Sequence, residues 1–155
     1  MRDEGLRHRC TYVAVETSDG ALVVHRRADW KDVYPGHWDL AFGGVAGVGE
    51  DWTDAARREL AEEAGVDGVE LLELGPVAYD HTDGSIVGRV YLTVHDGPLD
   101  CPDGEVVAVD RVRYEDLARW VAEHPVCRDT HLVVLPLLLR NRGLDPGSIP
   151  GPSGS

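Results

Sequence analysis

The sequence predicts one α/β domain, on three observations. Its 155 residues fit a single domain. Segments of strand length at 10–16, 21–27, 69–80, 85–96 and 105–114 alternate in hydropathy or are rich in β-branched and aromatic residues. The segments 53–65, 115–124 and 130–142 carry helix formers or a helical apolar period.

CTYVAVE (10–16) and ALVVHRR (21–27) flank the turn residues SDG, so they read as a hairpin. ADWKDVYPGHWDL (28–40) holds aromatics, Pro35 and Gly36 without a clean period. It reads as a long loop, the kind of segment that often carries function. Glycine-rich AFGGVAGVG leads into TDAARRELAEEAG (53–65), a helix with Thr53 as the expected N-cap and Gly65 as its C-terminal stop. VELLELGPVAYD and SIVGRVYLTVHD read as strands joined through HTDG, and GPLDCPDG (97–104) as a loop before the strand EVVAVDRVRY. EDLARWVAEH and THLVVLPLLLRNR close the domain as helices, with Pro136 expected to kink the second or to mark an early turn. The expected boundaries are a domain over 1–141 and a flexible tail rich in Gly, Pro and Ser over 142–155.

Lysine and arginine total 15 against 28 acidic residues, a formal net charge of −13. That balance repels phosphate backbones and anionic lipid, so neither a nucleic-acid polymer nor a membrane is an expected partner. The longest apolar stretch, Leu132 to Leu139, is interrupted by Pro136 and falls far short of the roughly 20 residues that span a bilayer. The polar N-terminus MRDEGLRHRC does not read as a signal peptide. Cys10, Cys101 and Cys127 are few, scattered and without a CxxC pair. They support neither a disulfide framework nor a zinc ribbon and suggest reduced thiols in the cytoplasm.

The chemistry is concentrated in 44–66, GVAGVGEDWTDAARRELAEEAGV. Glu59, Glu62 and Glu63 stand at i, i+3 and i+4 of the expected helix, on one face and within one turn. Like charges at that spacing destabilise a helix by about 0.2–0.5 kcal/mol per pair. A hard divalent cation reverses that sign, because carboxylate oxygens are its preferred ligands. Taken alone, such a cluster is more often a solvated helix face. Its neighbours argue otherwise: a glycine-rich loop holds Glu50 ahead of the helix, Arg58 adjoins the acids, and Gly65 and Val66 follow.

With these neighbours the segment resembles the box of the Nudix hydrolase family, GX5EX7REUXEEXGU with U aliphatic. Gly44, Glu50, Arg58, Glu59, Leu60, Glu62, Glu63, Gly65 and Val66 meet all nine specified positions. A chance match is on the order of 10⁻⁹ per starting position. The resemblance implies a loop–helix–loop metal site on an α/β/α sandwich with a mixed sheet. It implies hydrolysis of a diphosphate linkage in a nucleoside diphosphate derivative or another organic diphosphate. Mg²⁺ is the implied cofactor, with Mn²⁺ as a substitute, held by Glu59, Glu62 and Glu63, and with the backbone of Gly44 as a weaker ligand candidate. Glu59 is the family's usual base, and Arg58 and Glu50 are the pair that orients the acids. Glu105 follows a loop at the start of a strand, where many relatives carry a metal-binding or basic glutamate, and is a second candidate acid. Family members are often dimers, so a homodimer is a candidate assembly. The chemistry is coherent, because cations on carboxylates invert the local field, bridge phosphate oxygens and lower the pKa of a bound water.

The N-terminal half resembles the Nudix branch that includes isopentenyl diphosphate isomerase. The shared features are His8-Arg9 opening the first strand, Arg26-Arg27 closing the second, and Tyr34-Pro35-Gly36 before Trp38. Phe42 and Val45 occupy the positions aligned with that enzyme's cysteine and metal-binding histidine, which disfavours the isomerase as an alternative. A non-catalytic diphosphate-binding module is a second alternative, but such relatives typically lose box acids and none is lost here. Arg26 and Arg27 alternate across a strand, and Arg27, next to the loop, is the one expected to face a phosphate. Trp30 and Tyr34 are candidates to stack on a base and Lys31 to contact phosphate, while Trp38 reads at least equally as core. His25, His37 and His81 show no ligand spacing. The loops 28–40, 80–86 and 97–104 would select the substrate, and none carries a signature that names it.

Overall fold

Strand β1 (Arg7–Glu16) carries buried residues on both faces and therefore needs cover on both sides. Tyr12 and Ala14 enter one apolar cluster, Val13 and Val15 the other. The computed structural model describes residues 7–81, 84–101 and 104–149; the expectations for 1–6, 82–83, 102–103 and 150–155 lie outside the described residues. After β1 come β2 (Ala21–Arg27), β3 (Trp38–Asp39), β4 (Phe42–Val45), α1 (Trp52–Ala64), β5 (Leu72–His81), β6 (Gly84–Val94), β7 (Val106–Arg113) and α2 (Tyr114–Glu123). A wide π-helical turn, Thr130–Val134, then runs into α3 (Leu135–Asn141).

The sheet is mixed. β1 runs parallel to β6 along its whole length, from Arg7↔Ser85 to Glu16↔Val94, and the other strand pairs are antiparallel. The order is β3-β2-β1-β6-β5, with β4 added to β1 and β7 to β2. Helix α1 buries Ala56, Leu60 and Ala64 against Val13, Val23, Phe42 and Tyr91. On the opposite face, α2 and α3 bury Leu117, Val121, Leu135, Leu138 and Leu139 against Tyr12, Leu22, Val24 and Val90. The result is the expected α/β/α sandwich.

Several expectations need correction. The hairpin of β1 and β2 is reduced to its turn, with Thr17 N donating to Ala21 O at 2.8 Å and Glu16↔Leu22 as the one register pair. Beyond that point the strands part, because β1 pairs with β4 over Cys10–Val13 while β2 pairs with β7 and β3. The glycine-rich run yields a strand of its own, β4, since Gly43 can lie against the Thr11 carbonyl where any Cβ would sit 1.8 Å away. Asp51, not Thr53, caps α1, its carboxylate accepting from Thr53 N and Asp54 N at 3.1 Å each. Gly65 ends the helix in the left-handed region at φ 69°. Pro136 stands where the wide π-helical turn runs into α3, so the proline is met by a change of helix type rather than by a break.

The chain beyond 141 also takes part in the packing. Arg142 Nη2 donates to the buried Glu16 carboxylate at 3.2 Å, and Tyr114 Oη donates to it at 2.5 Å. Ile149 packs on the core cluster. Among the described residues no helix is long and apolar enough to cross a membrane.

Candidate active site

The apolar stripe of α1 determines where its acids go. With Ala56, Leu60 and Ala64 on the sheet, Glu59 is buried beside β4, Glu63 is half-buried and Glu62 is exposed. A Cβ at Gly44 would lie 2.8 Å from both Glu59 carboxylate oxygens, so glycine there is what lets this acid rest against the strand. Arg58 organises the rest. Its Nε and Nη2 meet Glu50 Oε2 and Oε1 at 2.9 and 3.0 Å, a bidentate pair. Its Nη1 donates to Glu59 Oε2 at 3.0 Å and Glu62 Oε1 at 3.3 Å. The guanidinium, then the Gly47 amide, holds the Glu50 carboxyl down at about 2. Burial raises Glu59, and burial with the charge of Glu59 pushes Glu63 up to about 7.

Glu63 faces a cavity of about 210 Å³ lined also by His25, Arg27, Lys31, Asp39, Gly43, Cys101, Glu105 and Val106. One wall, Arg27, Lys31, Glu105 and Val106, belongs to β2, its following loop and the start of β7. The other, Gly43 and Glu63, belongs to β4 and α1. The cavity thus occupies the gap where β1 and β2 separate. Lys31 Nζ pairs with Glu105 Oε1 at 2.8 Å along that first wall. Arg27 Nε donates to Val33 O at 2.9 Å, anchoring the loop as well as lining the cavity.

Of the residues singled out in the sequence, the cavity therefore gathers Arg27, Lys31, Glu63 and Glu105. Trp30 is 64% exposed in a shallow hollow beside it with Arg27 and Lys31. Tyr34 is not among the lining residues; it takes a left-handed φ of 51° and leans on the His37 ring at 5.6 Å. Trp38 packs on the core beside Trp120. The side chain of His81 lies outside the described residues.

Sequence reasoning missed His25, Asp39 and Cys101 on the cavity wall, and Asp129 behind it. His25 stacks on Phe42 at 4.1 Å, its Nδ1 has no hydrogen-bond partner, and burial lowers its pKa to about 3. Burial raises Asp39, and burial with the charge of Asp39 pushes Asp129 up to about 6 while it accepts from Tyr12 Oη at 3.3 Å. No spacing rule links residues 39 and 129, so no signal in the sequence could have paired them.

Among the described residues, no three His, Cys, Asp or Glu side chains stand close enough to hold a metal ion. Glu59 and Glu62 turn to Arg58, and Glu63 turns to the cavity. The donor set nevertheless fits a hard divalent cation. It is all oxygen, two of its carboxyls are disfavoured as free anions, and Gly44 puts no side chain of its own against the Glu59 carboxylate.

The chain thus presents a mixed-sheet α/β/α sandwich with an acid-rich, arginine-braced helix beside a charged cavity. The NUDIX domain model matches residues 6–129, and the chain belongs to the Nudix hydrolase family, enzymes that generally hydrolyse nucleoside diphosphate derivatives with divalent cations. It is 36% identical over 130 residues to an uncharacterized Nudix hydrolase of Pseudomonas aeruginosa, covering 84% of this chain and 77% of that protein. It is 37% identical over 109 residues to the uncharacterized Nudix hydrolase YfcD of Escherichia coli, covering 70% of this chain but 61% of the relative, less than two thirds of its length. Among solved structures it resembles DR0079 from Deinococcus radiodurans, with a TM-score of 0.67 at 25% identity over 79% of this chain and 78% of that one. It also shares the fold of the NUDIX domain of Shewanella oneidensis NrtR complexed with ADP ribose, with a TM-score of 0.69 at 17% identity over 90% of each chain.

Proposed function

We infer that the protein hydrolyses the diphosphate linkage of a nucleoside diphosphate derivative or another organic diphosphate, with Mg²⁺ as cofactor and Mn²⁺ as substitute. The observation that carries this reading is the pairing of the Arg58-braced acids of α1 with a cavity lined by both basic and acidic side chains. Glu59, Glu62 and Glu63, with the Gly44 backbone, would hold the metal. Bound there, it supplies Lewis-acid charge to the phosphate oxygens and a more acidic water.

The chain's own residues do the rest. Glu59 takes the proton of the attacking water, and Arg58, gripped by Glu50, fixes where that carboxylate points. Glu105 is a second acid on the facing wall. Arg27 and Lys31 bind the phosphates, so Lys31 leaves Glu105 when an anionic substrate enters. Trp30 and Tyr34 are assigned to the organic moiety. The three free cysteines support a cytoplasmic location. The full set of box acids speaks against a non-catalytic module.

A panel of organic diphosphates assayed at about pH 8.5 with Mg²⁺ or Mn²⁺ tests the reading, since general acid–base groups act best in their matched protonation state. Release of phosphate or a nucleoside monophosphate is expected, and Glu63→Gln should lose most of it while remaining folded. Full activity in that variant would defeat the metal assignment. No turnover across the panel would defeat the function.

A further inference from the structure

Arg9 lies outside the box, yet strand β1 brings it against the loop ahead of α1. Its Nη1 donates to Gly47 O at 2.9 Å and its Nη2 to Glu50 O at 3.1 Å. Its own carbonyl accepts from Ala46 N at 2.7 Å. Its guanidinium carbon lies 4.2 Å from the ring centroid of Trp52, the first residue of α1. Arg89 approaches the same ring at 5.2 Å but donates to Glu73.

The loop needs such a tie. Between Ala46 and α1 it buries no apolar side chain, and Val48 is fully exposed. Its internal bonds, Glu50 N to Gly47 O at 3.0 Å and Gly47 N to Glu50 Oε1 at 2.8 Å, preserve its shape but not its place on the sheet. Arg9 grips the carbonyls of the two residues that those bonds join. A lysine presents a point charge where this arginine spans two acceptors with one fork.

We propose that Arg9 is a positioning residue for the reaction: by pinning Gly47 and Glu50 to β1 it holds the Glu50 carboxylate square to Arg58, and through Arg58 it sets where Glu59 and Glu62 point. It rests on the hydrolase reading above for its activity and Mn²⁺ readouts, and on the geometry alone for the Arg58 readout.

Arg9→Met keeps the stem over Trp52 and removes every donor. The readings are Mn²⁺ binding by electron paramagnetic resonance, the Arg58 Nε–H resonance by ¹⁵N NMR, and kcat, KM and half-saturating Mg²⁺ on a diphosphate. In Arg9→Met the Arg58 resonance loses its protection from solvent exchange, and Mn²⁺ affinity falls at least about tenfold, as when the outer partners of metal ligands are removed. Turnover falls in kcat more than in KM. Arg9→Lys recovers part of both losses. Arg89→Met, which meets the same ring without the loop carbonyls, matches the wild type. If Arg9→Met merely melts lower, with wild-type Mn²⁺ affinity and Arg58 protection, Arg9 is a structural brace and the proposal fails. Equal losses in Arg89→Met would also overturn it. Should Arg9→Met not fold, Arg9→Lys against the wild type decides by the same readings. A wild type that hydrolyses no diphosphate would sink the function proposed above and still leave the Arg58 reading to judge Arg9.

Discussion

Two neighbouring glycines do different work. A side chain at Gly44 meets the far end of a flexible glutamate, Glu59, whereas one at Gly43 meets the backbone of Thr11. Gly44→Ala should therefore leave the fold intact and push the Glu59 carboxylate aside. A displacement of about 1 Å at such a group can lower turnover on the order of a hundredfold. Gly43→Ala should instead break the β1–β4 pairing and lower the melting temperature. Calorimetry combined with the diphosphate assay separates the two, and loss of the fold in Gly44→Ala would contradict the account. The importance of Gly44 was legible from the box spacing. Its reason was not, because the neighbour it makes room for is 15 residues away on another element.

The elements differ in how much of themselves they announce. Helix α1 is plain in the sequence because its alanines and leucine recur at helical spacing and Gly65 stops it. Its cap was misplaced by two residues, since Asp51 and Thr53 are both good caps and only backbone geometry chooses between them. Alternation marks β1 and β2 as strands but does not say which neighbours they take, so β4 fills most of the edge of β1 that the hairpin was expected to fill, and the non-local parallel strand β6 takes the other edge. Strand β4 is hidden because glycine is a poor strand former. The C-terminal latch was hidden too. Arg142 sits in a polar stretch, and its partner Glu16 is 126 residues away. Arg142→Ala strands a buried carboxylate with Tyr114 as its remaining donor and should cost about 2 kcal/mol. For a domain of this size that is a fall in melting temperature of roughly 4–8 °C. An unchanged melting temperature would mean the latch contributes nothing.

Across the whole molecule, the half-buried acids Asp39, on the cavity wall, and Asp129, at the start of the wide turn before α3, stand close enough to repel one another. Asp129 keeps its proton up to about 6 in the folded state, against an ordinary value of 3.8. The native state therefore binds more protons than the unfolded state through that window, and this group's contribution to stability falls as pH rises from about 4 to about 6. Asp129→Asn keeps an acceptor for Tyr12 and removes the titration. Relative to the wild type its melting temperature should rise across that window and level off above it, on top of a constant loss from the acceptor that Thr130 N gives up. A difference that stays flat with pH would show that the pair does not titrate as a buried acid.

The parting of β1 and β2 also bears on how the enzyme can diversify. The acid-bearing helix hangs from one limb of the fork and the loop of Trp30 and Lys31 from the other. The limbs share a single rung near Glu16. Lengthening or shortening the outer limb's loop resizes the aperture and leaves the inner limb's hydrogen-bond ladder whole. Tolerance for a bulkier leaving group can change without any redesign of the machinery that breaks the bond.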